Sequence, residues 1–313
     1  MTNTTVASLS ADLASGRATS RALVEEALAR IADPAGEGAR IFMKVHADTA
    51  RLEADHADRL RKAGIVRSAI DGLPISLKDL YDIAGDVTRA GSKVLAHEPP
   101  AKADAPVVAR LRAAGAIILG RTNMTEFAFG GIGTNPHYGT PRNPWDRESG
   151  GRIPGGSSSG AAVAVADDMS VMGLGSDTRG SVRMPAALCG VTGFKPTARR
   201  IPREGVFPLS YTLDSVGPLA RSVDCCATYD AILAGDAAAP LADMPVKGLR
   251  LLVPRAAGIE ALDREVASAY SAALSALSAA GAHLTEVKMP AFDRNDLYFQ
   301  GGGFSGAESG VIH

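Results

Sequence analysis

Apolar side chains recur at helical spacing near the start of the chain. One repeat lies on a single helical face and comprises Leu23, Ala27, Leu28 and Ile31. Thr19 or Ser20 is placed to cap this helix, because a hydroxyl side chain accepts hydrogen bonds from the free N–H groups of a first turn. A second, mostly polar helix is predicted over residues 46–62. We therefore expect an N-terminal helical segment over about residues 1–62.

Strands alternating with helices are predicted from about residue 63 onwards. The stretch GLPISLKDL (72–80) alternates, so that Leu73, Ile75 and Leu77 face one way and Ser76 and Lys78 the other. A helix over 105–114 ends at Gly115, and the apolar run AIIL (116–119) after it predicts a buried strand. A helix of small residues is predicted over 161–166.

A further strand–helix–strand unit is predicted over residues 245–290. Its strands are KGLRLLVP (247–254) and AHLTEVKMP (282–290), and a helix spans residues 262–280 between them. Strands that alternate with helices are typical of α/β proteins with a layered sheet and outer helices. The sequence therefore predicts that fold class.

The size of the chain fits one large domain. Its 313 residues are 46% hydrophobic and 21% charged, enough to bury a substantial core. No internal repeat and no linker divides it, so we expect a single domain over residues 1–313. The last twenty residues, from Arg294, read as the start of an element that the chain does not complete.

The charge balance excludes a strong whole-molecule field. The formal net charge is −1, so nothing favours nucleic acid or an anionic membrane as a partner. One local basic cluster consists of Lys195, Arg199, Arg200 and Arg203. A solvated loop explains this cluster better than a contact with RNA. The N-terminal residues fit neither a signal peptide nor a membrane span, and no segment has 18 uninterrupted apolar residues.

The cysteines and histidines predict no cross-links and no metal. There are three cysteines, Cys189, Cys225 and Cys226. An odd count with two adjacent members argues against a disulfide framework, so we expect three reduced, largely buried thiols in a cytoplasmic protein. The six histidines show no metal-ligand spacing such as HExxH. We expect neither a metal nor a cofactor.

The stretch RIPGGSSSGAAVAVA (152–166) allows four interpretations. A flexible linker explains its composition but not the apolar helix that follows. A phosphate-binding loop requires a lysine or a third glycine at positions where this chain has neither. A nucleophile elbow matches GxSxG with Ser158, and His283 even follows in the right order, but no strand pattern leads into the turn. The fourth interpretation combines this stretch with two other segments.

Three separated segments together resemble the amidase signature family of serine hydrolases. They are GLPISLKD with Lys78, PGGSSSGAAVAVA with Ser157, and GLGSDTRGSVRMPAALCGVTGFKPT with Ser181. The two serines lie 24 residues apart, which also fits that family. Similarity extends over roughly residues 60 to 290. The resemblance implies a mixed central β-sheet flanked by helices on both faces, a catalytic core over about residues 63–225, and a chain that ends before the full family domain.

The resemblance assigns a Ser–Ser–Lys catalytic set. Lys78 would be the base, with a pKa lowered towards neutrality by burial. Ser157 would follow a cis peptide bond, Gly156–Ser157, and pass a proton between Lys78 and Ser181. Ser181 would be the nucleophile that accepts the acyl group. Asp79 would point away from Lys78 if the strand persists there.

Backbone N–H groups would form the oxyanion hole. The resemblance gives this role to Thr178, Arg179, Gly180 and Ser181. It gives supporting roles to Gly156, Ser158, Asp177 and Arg183. Where the family loop usually reads Asp-Thr-Gly-Gly-Ser, this chain reads Asp-Thr-Arg-Gly-Ser. Arg179 would be strained if the family's glycine uses a positive φ, and we hypothesise that its side chain contacts a carboxylate or carbonyl of the substrate.

Three functions are open at this stage. The first is an amide hydrolase that forms an acyl-enzyme on Ser181 and releases ammonia or an amine from a small-molecule substrate. The second is the glutamine-hydrolysing component of an aminoacyl-tRNA amidotransferase, which works with partner subunits. The third is an inactive binding or assembly module. A stand-alone hydrolase, with a homodimer as the candidate assembly, is favoured slightly because of Arg179.

Overall fold

The computed structural model describes residues 4–255, 261–294 and 302–313. The chain divides into two compact units. The first comprises Met1–Pro240 with Val311–His313, and the second comprises Leu241–Gly310. The single domain expected from the sequence stays a prediction.

A six-stranded mixed sheet forms the centre of the first unit. Its strands are β1 Phe42–Val45, β2 Pro74–Lys78, β3 Ile117–Thr122, β4 Met172–Asp177, β5 Thr192–Gly193 and β6 Ser215–Ala220. Their spatial order is β1-β3-β2-β4-β6-β5. Strand β2 pairs in parallel with both β3 and β4, whereas β1–β3, β4–β6 and β5–β6 are antiparallel. This confirms the predicted mixed sheet.

Helices cover both faces of this sheet. They are α1 Val6–Ser15, α2 Ser20–Ala32, α3 Gly38–Ile41, α4 Ala47–Lys62, α5 Pro106–Ala113, α6 Ser159–Ala166, α7 Arg183–Cys189 and α8 Val223–Ala234, with short 3-10 turns at Val94–His97 and Glu126–Ala128. Helices α1, α5 and α8 pack in one apolar cluster with Ile118 of β3. Helices α2, α4, α6 and α7 pack in the other with Ile117 and Leu119. Alternating residues of one strand therefore feed two cores, as the predicted fold class requires.

The N-terminal helices agree with the apolar pattern. Helix α2 begins after Thr19, whose side chain accepts a hydrogen bond from the N–H of Ala22. Helix α4 matches the polar helix predicted over 46–62. Helix α1 was not predicted, although Thr5 and Ser8 form a capping box at its start.

Strand β3 is longer than its apolar run. The sequence predicts a strand that stops at Leu119, but β3 continues through Gly120, Arg121 and Thr122. The Arg121 side chain is fully buried and its Nε donates to Asp86 at 2.8 Å. Because a partner carboxylate compensates the buried charge, a strand can continue through an arginine that hydropathy would exclude.

The second unit contains the predicted strand–helix–strand. Strands β7 Arg250–Arg255 and β8 His283–Lys288 pair in parallel, and helix α9 Arg264–Ala279 connects them. Helix α10 spans Pro290–Asp293, and helix α11 spans Gly303–Ile312. The unfinished element expected from Arg294 falls partly on residues 295–301, which lie outside the described residues.

Two sequence expectations concern the chain as a whole. No helix among the described residues is long and apolar enough to cross a membrane. All three cysteines are free and buried. The expectation of reduced, buried thiols is therefore confirmed in this structure.

Candidate active site

Lys78 is the last residue of β2 and is completely buried. Its strand lies between β3 and β4, so both of its edges are paired. The Lys78 Nζ donates to the Ser157 Oγ at 2.7 Å and to the Ser176 Oγ at 2.8 Å. Burial lowers the pKa of Lys78 to about 7, although the charges of Asp214 and Asp177 act in the opposite direction. A lysine with this pKa is half neutral near pH 7 and can accept a proton there.

Ser157 lies in the turn before α6. The Gly156–Ser157 peptide bond is cis, as the resemblance implies. The Gly156 N–H donates to the Gly131 carbonyl at 2.7 Å, and the Ser157 carbonyl accepts from the Thr125 N–H at 3.1 Å. A Cβ added at Gly156 would lie 2.7 Å from the backbone of Gly133. Two backbone segments therefore meet at a distance that only glycine allows.

Ser158 connects the Gly/Ser turn with the segment that carries Ser181. Its N–H donates to the Ser181 carbonyl at 3.3 Å, and its Oγ donates to the Ser176 carbonyl at 3.3 Å. Residues 151–155 before the turn form no strand. The nucleophile-elbow interpretation of Ser158 therefore lacks the strand that gives the GxSxG pattern its meaning.

The Asp177 carboxylate organises the loop between β4 and α7. It accepts hydrogen bonds from the N–H of Gly180 at 2.7 Å and of Val182 at 3.1 Å. The Arg183 guanidinium binds the same carboxylate at 2.9 and 3.0 Å. Burial alone would raise the pKa of Asp177, but Arg183 and these N–H groups hold it below its usual value.

The backbone N–H groups around Ser181 are not equivalent. That of Gly180 is engaged by Asp177, so the loop's own carboxylate occupies one of the four donors expected for the oxyanion hole. Within the described part of the chain, the N–H groups of Thr178 and Ser181 have no acceptor. Arg179 is exposed and is absent from the residues with positive φ, whereas Gly180 has φ +129°. The arginine therefore sits in the loop without the expected strain.

Two side chains missed by the sequence analysis complete the site. Ser176 is the second hydroxyl bound by Lys78. The Asp214 carboxylate accepts from the Thr178 hydroxyl at 2.5 Å and from the N–H groups of Leu209 and Ser210 at 2.8 and 3.0 Å. Ser176 directly precedes Asp177 in the motif with Ser181, so the sequence shows where it lies. The sequence does not show that Lys78 binds it.

Asp79 does not pair with Lys78. Its carboxylate lies 3.4 Å from the Arg121 guanidinium and accepts from the Gly91 N–H at 3.1 Å. Burial raises the pKa of Asp79 to about 6, because it outweighs the opposing effect of Arg121. Among the described residues Lys78 therefore has hydroxyl partners and no carboxylate partner, which is the condition that lets it lose its proton.

A cavity of about 530 Å³ adjoins this site. It reaches Ser176 and Thr178, and the loop between β5 and β6 supplies most of its lining. Apolar side chains dominate the walls, among them Leu80, Ile201, Phe207 and Leu209. A mostly apolar lining with a few polar groups is typical of small-molecule sites. Among the described residues no group of three His, Cys, Asp or Glu side chains could hold a metal ion.

Comparisons with known proteins find similarity along most of the chain. The sequence profile of the amidase family matches residues 22–307. AtzE, a component of the 1-carboxybiuret hydrolase of Pseudomonas sp. (strain ADP), is 48% identical over 225 residues, 72% of this chain and 48% of that protein. The A component of the glutamyl-tRNA(Gln) amidotransferase of Syntrophus aciditrophicus (strain SB) is 38% identical over 302 residues, 92% of this chain and 61% of that protein. The chain thus spans about half to three fifths of the length of these relatives.

Solved structures show the same fold. A crystal structure described as an amidase superposes with a TM-score of 0.87 at 38% identity, over 99% of this chain and 68% of that one. The peptide amidase from Stenotrophomonas maltophilia superposes with a TM-score of 0.81 at 32% identity, over 96% of this chain and 64% of that one. Similarity of sequence and of structure therefore covers both units.

Proposed function

The chain belongs to the amidase family, and from that premise we propose that it hydrolyses a carboxamide C–N bond through an acyl-enzyme on Ser181. The observation that carries the proposal is the contact between the buried Lys78 and Ser157, 2.7 Å apart, with a lysine pKa of about 7. A base poised near the working pH is what general-base catalysis requires. The proposed chemistry needs neither a metal nor a cofactor.

The relay runs from Ser181 to Lys78. As the Ser181 oxygen forms its bond to the carbonyl carbon, its proton moves to Ser157, and the Ser157 proton moves to the neutral Nζ of Lys78. The tetrahedral intermediate collapses when the C–N bond breaks and the same chain returns a proton to the departing nitrogen. Water then attacks the ester on Ser181 and its proton moves to Lys78; the proton returns through Ser157 to the Ser181 oxygen as the acid is released.

The negative charge on the carbonyl oxygen needs hydrogen-bond donors. We assign this role to the N–H groups of Thr178 and Ser181, with that of Arg179 as an expected third donor. The N–H of Gly180 donates to the Asp177 carboxylate instead. Removing a single donor of this kind typically costs about 2.7–4 kcal/mol of transition-state stabilisation. Gly156, Ser158, Asp177 and Arg183 are proposed to hold the two loops in place.

The Arg179 side chain is proposed as a substrate contact. It replaces the glycine usual in the family and is exposed beside the candidate oxyanion hole. A guanidinium there can bind a carboxylate or a carbonyl oxygen of the substrate. An Arg179→Ala variant that hydrolyses acidic and neutral amides as the wild type does would remove this role.

Ammonia release over a panel of amides tests the proposal. The panel contains glutamine, malonamate and aryl amides, and the variants are Ser181→Ala and, as a matched control, Ser159→Ala, which changes a neighbouring serine outside the relay. Loss of the nucleophile should lower kcat about 10⁴-fold or more, whereas Ser159→Ala should retain activity. Ammonia release that persists in Ser181→Ala would overturn the mechanism.

A second candidate is the glutamine-hydrolysing component of an aminoacyl-tRNA amidotransferase. The observation that favours it is that the relative from Syntrophus aciditrophicus, which matches 92% of this chain, is named as a component of such an enzyme. Glutamine turnover that rises only when partner subunits and tRNA are added would support it. Hydrolysis of simple amides by the isolated chain would support a stand-alone enzyme, for which a homodimer is the proposed assembly. The three free thiols support a cytoplasmic location for either.

A folded but inactive assembly module is the outcome in which neither candidate holds. In that case a fluorophosphonate probe would not label Ser181. Labelling of Ser181 excludes the module, because the reaction requires an activated serine.

A further inference from the structure

Most side chains of the basic cluster in the β5–β6 loop already bind other groups of the protein. The Arg200 guanidinium binds Asp230 at 2.7 Å and Asp236 at 2.9 Å. The Lys195 Nζ donates to the carbonyl of its neighbour Pro196 at 2.8 Å. Two of the four cations in this cluster are therefore already paired within the protein.

Arg203 also binds groups of the protein. Its guanidinium donates to the carbonyl oxygens of Tyr211 at 2.8 Å and of Asp214 at 2.9 Å, which ties the end of the loop to its middle. Arg199 differs from the other three. Within the described ranges its side chain has no ion pair and no hydrogen bond, although it lines the 530 Å³ cavity.

The position of Arg199 follows from the local backbone. The Arg200 N–H donates to the Thr197 carbonyl at 2.9 Å, which closes a turn with Arg199 at its third position. The Arg199 side chain is exposed at this turn. The cavity that it lines also contains Ser176 and Thr178, the residues next to the reacting groups.

The acidic groups of the cavity do not neutralise Arg199. The Asp214 carboxylate already accepts three hydrogen bonds, from the Thr178 hydroxyl and from the N–H groups of Leu209 and Ser210. Glu204 also lines the cavity, but it forms no ion pair with Arg199. The cavity therefore offers a substrate the Arg199 guanidinium, which has no hydrogen-bond acceptor among the described residues, beside apolar walls.

We propose that Arg199 binds a carboxylate of the substrate, so that the chain prefers amides whose acyl part carries a carboxylate. A guanidinium matches a carboxylate with two parallel hydrogen bonds, and partial exclusion of water by the apolar walls strengthens the pair. This inference rests on the proposed amide hydrolysis and adds the substrate class to it. The substrate is accordingly a monoamide of a dicarboxylic acid or a related anionic amide.

Pairs of substrates that differ only in charge test the inference. Malonamate, succinamate, glutaramate and 4-carbamoylbenzoate are each compared with the neutral methyl ketone in which an acetyl group replaces the carboxylate. The wild type should prefer the carboxylate in at least one pair by about tenfold or more in kcat/KM. The series varies the distance between amide and carboxylate, so the preferred pair also reports the reach from Ser181 to Arg199.

Variants then locate the preference. Arg199→Gln should lower kcat/KM about tenfold more for the preferred carboxylate than for its neutral partner, and Arg199→Lys should restore part of the preference. Arg200→Gln is the matched control, because it removes the same charge from the same cluster but from a residue that does not line the cavity. Glu204→Gln should leave the preference intact or increase it.

Each outcome decides between the claims. Hydrolysis that depends on Ser181 but shows no carboxylate preference, or a preference that survives Arg199→Gln, would overturn this inference and leave the proposed function standing. A preference lost in Arg179→Ala and kept in Arg199→Gln would assign the carboxylate to Arg179 instead. A folded protein that hydrolyses no amide and is not labelled at Ser181 would overturn the proposed function and this inference with it.

Discussion

Lys78 lies in the core against two hydroxyl groups, and no carboxylate in the described part of the chain contacts it. Its Nζ reaches Ser157 and Ser176, and the charges of Asp214 and Asp177 oppose the loss of its proton without reversing it. Burying a charged ammonium without a paired anion is costly, so the neutral form is favoured. The same burial that costs stability supplies the base.

The proposed role of Lys78 predicts the pH dependence of the reaction. In the proposed mechanism its neutral form is the base, so kcat/KM should rise tenfold per pH unit below about pH 7 and level off above it. The measurement is kcat/KM for a neutral amide from pH 5.5 to 9.5. A rate that stays flat through this range, or that falls as pH rises through 7, would contradict the role of Lys78.

The lowered pKa of Lys78 should also make the stability of the protein depend on pH. In the unfolded chain the pKa of the lysine returns to about 10.4. Burial of Lys78 therefore lowers the free energy of unfolding by its full amount below pH 7, and by progressively less as the pH rises to 10. Lys78→Met removes a penalty of roughly 5 kcal/mol at pH 6 and roughly 2 kcal/mol at pH 9. The variant should therefore gain most over the wild type at the lower pH.

Urea unfolding at pH 6 and pH 9 measures this difference. The hydroxyls of Ser157 and Ser176 lose their partner in the variant, but that cost is the same at both pH values. Only the change between them reports the lysine. An advantage of Lys78→Met that is equal at pH 6 and pH 9 would mean that the lysine keeps its ordinary pKa in the folded protein.

At the scale of elements, the segment from β4 through the loop to α7 acts as one clamp. Asp177 ends the strand, binds two loop N–H groups, and binds Arg183 at the first position of the helix. A carboxylate that accepts several N–H groups fixes the direction of neighbouring donors. We therefore propose that Asp177 positions the N–H groups around Ser181.

Asp177→Asn should lower kcat about 100-fold with KM changed by less than about threefold, because an amide cannot accept from all of these donors and the oxyanion hole loosens. Asp230→Asn is the matched control, since it breaks another Asp–Arg pair in the first unit that lies away from the loop. Both variants should lose stability, and only Asp177→Asn should lose kcat. Equal losses of kcat in the two variants would reduce Asp177 to a structural residue.

Sequence patterns identified the elements with strong apolar periodicity and missed those that depend on neighbours. Helices α2, α4 and α5 and strands β2, β7 and β8 followed from spacing and alternation. Strand β4, MGLGSD, has two glycines and a serine, which disfavour a strand locally. It is a strand because β2 and β6 pair with it on either side. That pairing is tertiary and leaves no local signal.

The candidate site likewise has residues that the sequence identifies and contacts that only the fold creates. Lys78, Ser157 and Ser181 lie in motifs that resemble a family, so the sequence could name them. Asp214 is 36 residues from Thr178 along the chain, and only the folded loop brings its carboxylate to that hydroxyl. The occupation of the Gly180 N–H likewise follows from a side-chain rotamer. Contacts of this kind are set by geometry rather than by residue type.

At the scale of the whole molecule, topology brings distant segments to one place. Lys78 and Ser157 are 79 residues apart in the chain, yet their side chains are in contact. Strands β2 and β4 are parallel neighbours, so Lys78 and Asp177 end them at the same edge of the sheet. Ligands in such sheets bind beyond the carboxyl ends of the strands, where the cavity also lies.

The central claim is that Ser181, and no other serine of the Gly/Ser segments, carries the acyl group. The most direct measurement is a rapid acid quench of the chain during turnover of a slow aryl amide, followed by peptide mapping by mass spectrometry. We predict one acyl adduct, on Ser181, that is absent in Ser181→Ala. An adduct on Ser157 or Ser158, or hydrolysis without an adduct in a quench fast enough to trap one with a matched aryl ester, would contradict it.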